Sequence, residues 1–135
     1  VRVFLDANVL FSAARNQGPM HALLVTILER GSSSHADAYV VEEARRNLAA
    51  KHPDRLGALD TILANVQVAP SPTLGAAPAG VVLDSKDVPV LLAAIAARCD
   101  VLVTGDRTHF GPLFGTTVHG VQVLPPAELA RVLLA

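Results

Sequence analysis

Three short apolar runs constrain this chain more than any other feature: Val1-Arg-Val-Phe-Leu5, Val101-Leu-Val103 and Val121-Gln-Val-Leu124. Runs of this length read as buried strands, and segments with helical spacing lie between them. Strands alternating with helices favour a parallel sheet covered on both faces, because parallel neighbours need long crossover connections. The expected fold class is therefore α/β. In such sheets the functional site lies outside the carboxyl ends of the strands.

The intervening segments carry their own punctuation. Pro19, with Gly18 before it, suits the first turn of a helix whose Leu23, Leu24, Ile27 and Leu28 recur at helical spacing up to Gly31. After Ser32-Ser-Ser34 an extended piece leads to Asp37, expected as the N-cap of a helix with Val40, Val41, Ala44 and Leu48 on one face. That helix stops before Pro53. A further helix from about Asp54 turns Leu56, Leu59, Ile62 and Leu63 inward and ends near Asn65. Val66-Gln-Val68 is a brief strand, and Pro70 to Gly80 is a loop by composition. Val88 to Ala97 is helical, and Pro89 is tolerated only in its first turn, which puts Asp87 at the N-cap or first position. Pro126 to Ala135 forms a closing helix. No internal repeat or domain boundary interrupts the pattern.

Composition then excludes several classes. The 135 residues include 12 acidic and 11 basic side chains, with 17% charged and 51% apolar. That apolar content excludes disorder, and the near-neutral balance excludes a polybasic nucleic-acid binder. Cys99 is the single cysteine, which forms neither an internal disulfide nor a zinc site alone and suits a reducing cytoplasm. The five histidines include no pair four residues apart, so a histidine metal helix is unsupported. Thr61 to Leu83 lacks charge but holds Pro70, Pro72, Pro78, Gly75 and Gly80, too many breakers for a membrane helix. The first run, broken by Arg2 and halted by Asp6, does not read as a signal peptide.

The chemistry rests with the carboxylates. Asp6 ends the first run, and Asp106 follows Val101-Leu-Val-Thr-Gly105, so two acids occupy equivalent positions after two buried strands. Asp87 starts a helix, and Glu43 sits at the boundary of an apolar helical stripe. Singly each has an ordinary reading: a cap or turn former for Asp6, a cap for Asp87, a solvated helix face for Glu43, a turn for Asp106. Brought together, they would repel one another and raise each other's pKa unless a cation neutralised them. Oxygen ligands without thiol or histidine fit Mg²⁺ or Mn²⁺, which can activate water against a phosphodiester.

Four segments carry a family resemblance. Val3-Phe-Leu-Asp6-Ala-Asn8-Val-Leu10 closely resembles the opening of PIN-domain nucleases. Val40-Val-Glu-Glu43-Ala-Arg-Arg-Asn-Leu48 resembles their second motif, a helical glutamate with a leucine five residues later, a spacing that selects Glu43 over Glu42. Asp84-Ser-Lys-Asp87, with Ala94 seven residues on, resembles the third. Cys99-Asp-Val-Leu-Val-Thr-Gly-Asp106 resembles the last, with Cys99 where the family usually has alanine. Order and spacing agree over essentially the whole chain.

This resemblance implies a three-layer α/β/α PIN-like fold with a central, mainly parallel sheet of four or five strands, residues 1–135 forming a single PIN domain. It implies a metal-dependent endoribonuclease that hydrolyses RNA phosphodiester bonds with metal-activated water. It further implies a VapC-like toxin, paired with a small antitoxin and forming a homodimer. By carry-over, Asp6, Glu43, Asp87 and Asp106 are catalytic and hold Mg²⁺ or Mn²⁺. Asn8 and Thr104 support them by hydrogen bonding, and Asp84 is an outer acid or a turn cap.

Arg15, Arg45, Arg46 and Arg107 fall beside the acidic motifs and are candidates for RNA phosphate contacts, against the alternative of ordinary solvated faces. Few aromatic residues are available for base stacking. Phe110 and Phe114 read as packing, and His109 as a loop histidine able to approach the site. Two rival readings stand beside this one. A haloacid-dehalogenase-like phosphatase also begins with a strand-ending aspartate, but needs a second aspartate where this chain has Asn8, with Lys86 as its basic residue. A catalytically silent PIN module that only binds is disfavoured by the presence of all four acids.

Overall fold

The first apolar run lies at the centre of the sheet. β1 (Arg2–Leu5) pairs in parallel with β2 (Ser33–Asp37) on one side and β4 (Val101–Val103) on the other. In this computed structural model, which describes residues 1–70 and 72–135, β3 (Val66–Ala69) extends the sheet beyond β2. β6 (Val121–Leu124) extends it beyond β4, and β5 (Thr117–Val118) closes that edge. The order is β3-β2-β1-β4-β6-β5, parallel throughout except for β5.

Among the described residues the sheet thus has six strands, where four or five were expected. β5 is a two-residue antiparallel partner of β6, turned by His119 and Gly120, both with positive φ (47° and 85°). Such a tight hairpin turn favours Asn-Gly or Asp-Gly, and a histidine in the first place hid it.

Among the described residues six helices connect and cover the strands: α1 (Ala7–Arg15), α2 (Pro19–Glu29), α3 (Ala38–Lys51), α4 (Leu56–Leu63), α5 (Val88–Ala96) and α6 (Pro126–Leu134). α2 starts on Pro19 and ends at Glu29; just beyond it Gly31, with a φ of 74°, lets the Ser32 N–H reach the Ile27 carbonyl and close the helix. Asp37 caps α3 as expected, its Oδ1 accepting from the Val40 N–H at 3.1 Å. A short 3₁₀ turn at Pro53–Arg55 separates α3 from α4. Within the expected loop, residues 72–80 form no helix or strand, and Ser71 lies outside the described residues. No helix among the described residues is long and apolar enough to cross a membrane.

α1 is the helix that the spacing did not announce. It begins one residue after β1 with no glycine or proline between, and its early Asn8 and Val9 are weak helix formers. Tertiary packing overrides them: Val9, Leu10, Ala13 and Ala14 are buried against the sheet and neighbouring helices.

The strand order explains where a site can form. From β1 the chain steps outward through β2 to β3, then returns to place β4 on the other side of β1. Right-handed crossovers therefore bring helices to both faces and part them at the carboxyl ends of β1 and β4. Backbone bonds carry the ladder past those ends, from Asp6 N–H to the Val103 carbonyl and from Thr104 N–H to the Leu124 carbonyl, each 3.1 Å. Beneath them lies a core of fully buried Phe4, Leu5, Leu102 and Phe110.

Candidate active site

Asp6 is both cap and site acid. Its Oδ1 accepts from the Ala7 N–H at 2.8 Å, starting α1. Its Oδ2 accepts from Thr104 Oγ1 at 2.8 Å and Asn8 Nδ2 at 3.1 Å. Thr104 Oγ1 in turn accepts from Asn8 Nδ2 and from the Asp106 N–H, both at 3.1 Å. The Asn8 Oδ1 accepts from the Gly105 N–H at 2.8 Å, so closely that a Cβ at Gly105 would stand 3.3 Å from it. These bonds lock the segment after β1 to the segment after β4.

Asp6 is only 4% exposed, and burial pushes its carboxyl up to about 6. The Thr104 and Ala7 donors oppose that shift, while the charges of Glu43 and Asp87 add to it. Asp87 stands at the N-cap position of α5, yet its side chain makes no capping bond. Its Oδ2 is buried and has no hydrogen-bond partner among the described residues. Burial raises this acid too, with His109 and Lys86 opposing and Asp106 and Asp84 reinforcing.

Asp106 behaves differently. Its Oδ1 accepts from the His109 N–H at 3.0 Å, and its Oδ2 lies 2.8 Å from His109 Nδ1. Burial alone would raise it, but the backbone and ring of His109 together bring it below the ordinary carboxylate range. The same Nδ1 is 3.5 Å from Asp87 Oδ2, and Nε2 is 4.0 Å from Asp84 Oδ2. The turn carrying Asp84 and Asp87 is held by Tyr39, whose hydroxyl donates to the Lys86 carbonyl at 2.7 Å.

A cavity of about 500 Å³ opens over the carboxyl ends of β1 and β4, and Asp6, Glu43, Asp87 and Asp106 all line it. The four acids singled out by sequence are thus brought together, with Asn8 on the wall and Thr104 buried behind as a brace. Asp84 lies on the adjoining turn, near His109. The arginines are elsewhere: Arg45 pairs with Asp60 at 2.9 Å, Arg46 lies 3.9 Å from Glu42, and neither lines the cavity. Arg15 and Arg107 are exposed and also outside its lining.

Sequence reasoning missed Ser12, Asn47 and Lys86 as lining residues, and gave His109 too little weight. Ser12 stands four residues after Asn8 and Asn47 four after Glu43, so each shares a helix face with a residue already chosen. Once α1 is known to be a helix, that spacing finds both.

The donor set suits a divalent cation. Asp87, Asp106 and His109 each offer a ligand atom, all within 4.8 Å of one another. Asp87 Oδ2 lacks a partner among the described residues, and burial and negative neighbours raise the Asp6 carboxyl, as expected for acids lacking their counter-charge.

An open parallel sheet with carboxylates collected at the reversal of its strand order defines a class of α/β proteins with an acidic cleft at the switch point. The family model described as PIN domain matches residues 2–108, and the chain belongs to that family. A chain in the crystal structure of VapBC2 from Rickettsia felis bound to a DNA fragment from their promoter is similar, with a TM-score of 0.66 and 14% identity. The match covers 93% of this chain and 98% of that one, and it shows a common fold. No curated protein matches the sequence.

Proposed function

We propose that this PIN domain, residues 1–135, is a divalent-metal-dependent endoribonuclease acting as the toxin of a toxin–antitoxin pair in the cytoplasm. The observation that carries the reading is the convergence of Asp6, Glu43, Asp87 and Asp106, from four separate segments, on one cavity at the switch point.

When bound among these acids, Mg²⁺ or Mn²⁺ supplies counter-charge, activation of water and stabilisation of a phosphodiester in in-line displacement. The chain's own residues prepare for it. Thr104 and Asn8 aim Asp6 Oδ2 by hydrogen bonds, and the backbone N–H of His109 does the same for Asp106 Oδ1. Lys86, the cationic side chain among the described lining residues, can meet a phosphate, while Ser12 and Asn47 offer neutral polar contacts.

The neighbour's crystal is named for a VapBC2 complex on promoter DNA, which supports a small antitoxin as this chain's partner. That antitoxin would mask the acidic cavity, and pairing of two copies belongs to the same reading. Asn8 weighs against the phosphatase alternative, because its amide braces Asp6, Thr104 and Gly105 where a second acid would be needed. The silent-module alternative leaves the clustered acids without a purpose.

Cleavage of a synthetic RNA by purified protein tests the proposal. Activity is expected with Mg²⁺ or Mn²⁺, and Asp6→Asn and Asp106→Asn are each expected to lose about 100-fold or more. Robust cleavage in excess chelator overturns the metal mechanism. Turnover of a small phosphomonoester that is indifferent to Asp87→Asn would favour the phosphatase instead.

A further inference from the structure

We propose that His109 is a nitrogen ligand of the cation in this site, an imidazole among carboxylates that makes the site favour Mn²⁺ over Mg²⁺. The inference rests on the reading that the acidic cavity holds a divalent cation.

The histidine is not on a loose loop. Its N–H is held by Asp106 Oδ1, the Phe110 N–H reaches the Asp106 carbonyl, and the Gly111 N–H reaches the Arg107 carbonyl. The next side chain, Phe110, is fully buried. Backbone and core together therefore set the direction of the ring.

That direction turns Nδ1 toward two acids, 2.8 Å from Asp106 Oδ2 and 3.5 Å from Asp87 Oδ2. One ligand atom from each of His109, Asp87 and Asp106 lies within 4.8 Å of the others, close enough for a single ion to be held by all three. Asp87 provides an independent sign: its residue is only 9% exposed, and Oδ2 points at this cluster without a hydrogen-bond partner. A buried acceptor left unsatisfied is unfavourable unless something else completes it.

Coordination through Nδ1 requires the tautomer protonated at Nε2. Asp84 Oδ2 lies 4.0 Å from Nε2, so a small side-chain shift brings it to hydrogen-bond distance of that proton. Metal-bound histidines commonly give their second N–H to a carboxylate, which fixes tautomer and ring orientation. Asp84 thereby gains a positioning role that a turn cap alone would not have. Imidazole suits transition ions, whereas Mg²⁺ prefers oxygen ligands and keeps its waters, so one nitrogen shifts the preference toward Mn²⁺.

Electron spin-echo spectroscopy of Mn²⁺ bound to the wild-type protein reads this directly. Nitrogen modulation is expected, changing from the ¹⁴N to the ¹⁵N pattern when histidine is ¹⁵N-labelled. Among the described residues, His109 is the histidine that clusters with Asp87 and Asp106. Calorimetric titration should show His109→Ala weakening Mn²⁺ about tenfold or more and Mg²⁺ by less than about threefold. Bound Mn²⁺ without nitrogen modulation overturns the ligand role, as does an equal loss for both ions, which would leave His109 only bracing Asp106. Failure of wild-type protein to bind Mn²⁺ at all removes the cation reading beneath the proposal. The wild-type labelling result stands even if His109→Ala does not fold.

Discussion

Thr104 Oγ1 donates to Asp6 Oδ2 across 2.8 Å, joining the ends of two neighbouring parallel strands from residues 98 apart in the chain. The same hydroxyl oxygen accepts from Asn8 and from the Asp106 backbone. Thr104→Val keeps the shape but removes the donor and the acceptor, leaving Asp6 Oδ2 with Asn8 as its remaining donor. The expected cost is about 1–3 kcal/mol of folding stability. Divalent-cation affinity should fall about 10–100-fold. Denaturant unfolding and calorimetry measure the two effects separately.

The Asp6 carboxyl, raised from 3.8 to about 6, makes stability depend on pH in a stated sense. The native state holds this proton more tightly than the unfolded chain does. Metal-free protein should therefore lose stability as pH rises from about 4 to about 6, by up to about 3 kcal/mol from Asp6, and level off above that window. Asp37 and Asp87 are raised as well and act in the same direction, whereas Asp106 is lowered and opposes them at the acid end. Asp6→Asn should flatten part of the slope while abolishing RNA cleavage, and because both Asp6 oxygens accept hydrogen bonds, its amide nitrogen gives back part of the stability gained by removing the charge. Saturating Mn²⁺ should stabilise the wild type at that pH. Unfolding curves at several pH values would expose a slope of the wrong sign.

Lys86 carries positive charge on the wall of an otherwise acidic cavity. Lys86→Ala should weaken RNA binding and reduce its salt slope by about one phosphate contact. KM should rise several-fold with a smaller change in kcat. An unchanged salt dependence would place the RNA backbone elsewhere.

Tyr39 fastens the turn that presents Asp87. Tyr39→Phe removes the donor to the Lys86 carbonyl and leaves the ring in place. The expected loss is about 1 kcal/mol of stability. Cation affinity should fall with it, because Asp87 is then less firmly placed. Affinity that holds while stability falls would separate the turn from the site.

Much of the scaffold is legible in local sequence. Pro19, Asp37 and Pro89 mark helix starts through the φ, N–H and side-chain requirements of a first turn, and the structure follows each of them. α1 escaped because Asp6, Ala7 and Asn8 signal a strand end, and only burial of the residues that follow makes them helical. β5 escaped because its turn uses histidine at a positive-φ position. Of the site, Asp6 and Asp106 were recognisable as strand-end acids. Lys86 and His109 have no local signature, since a turn lysine and a loop histidine look the same wherever they point.

The sequence by itself determined which segments are strands and helices, and that acids stand at particular ends of them. Those properties depend on neighbours within a few residues: periodicity, caps and proline geometry. Tertiary structure alone decided that β4 returns beside β1, so that Thr104 reaches Asp6 and His109 enters between Asp87 and Asp106. Such contacts join residues far apart in the chain. They follow from strand order and the packing of buried faces, which periodicity does not encode.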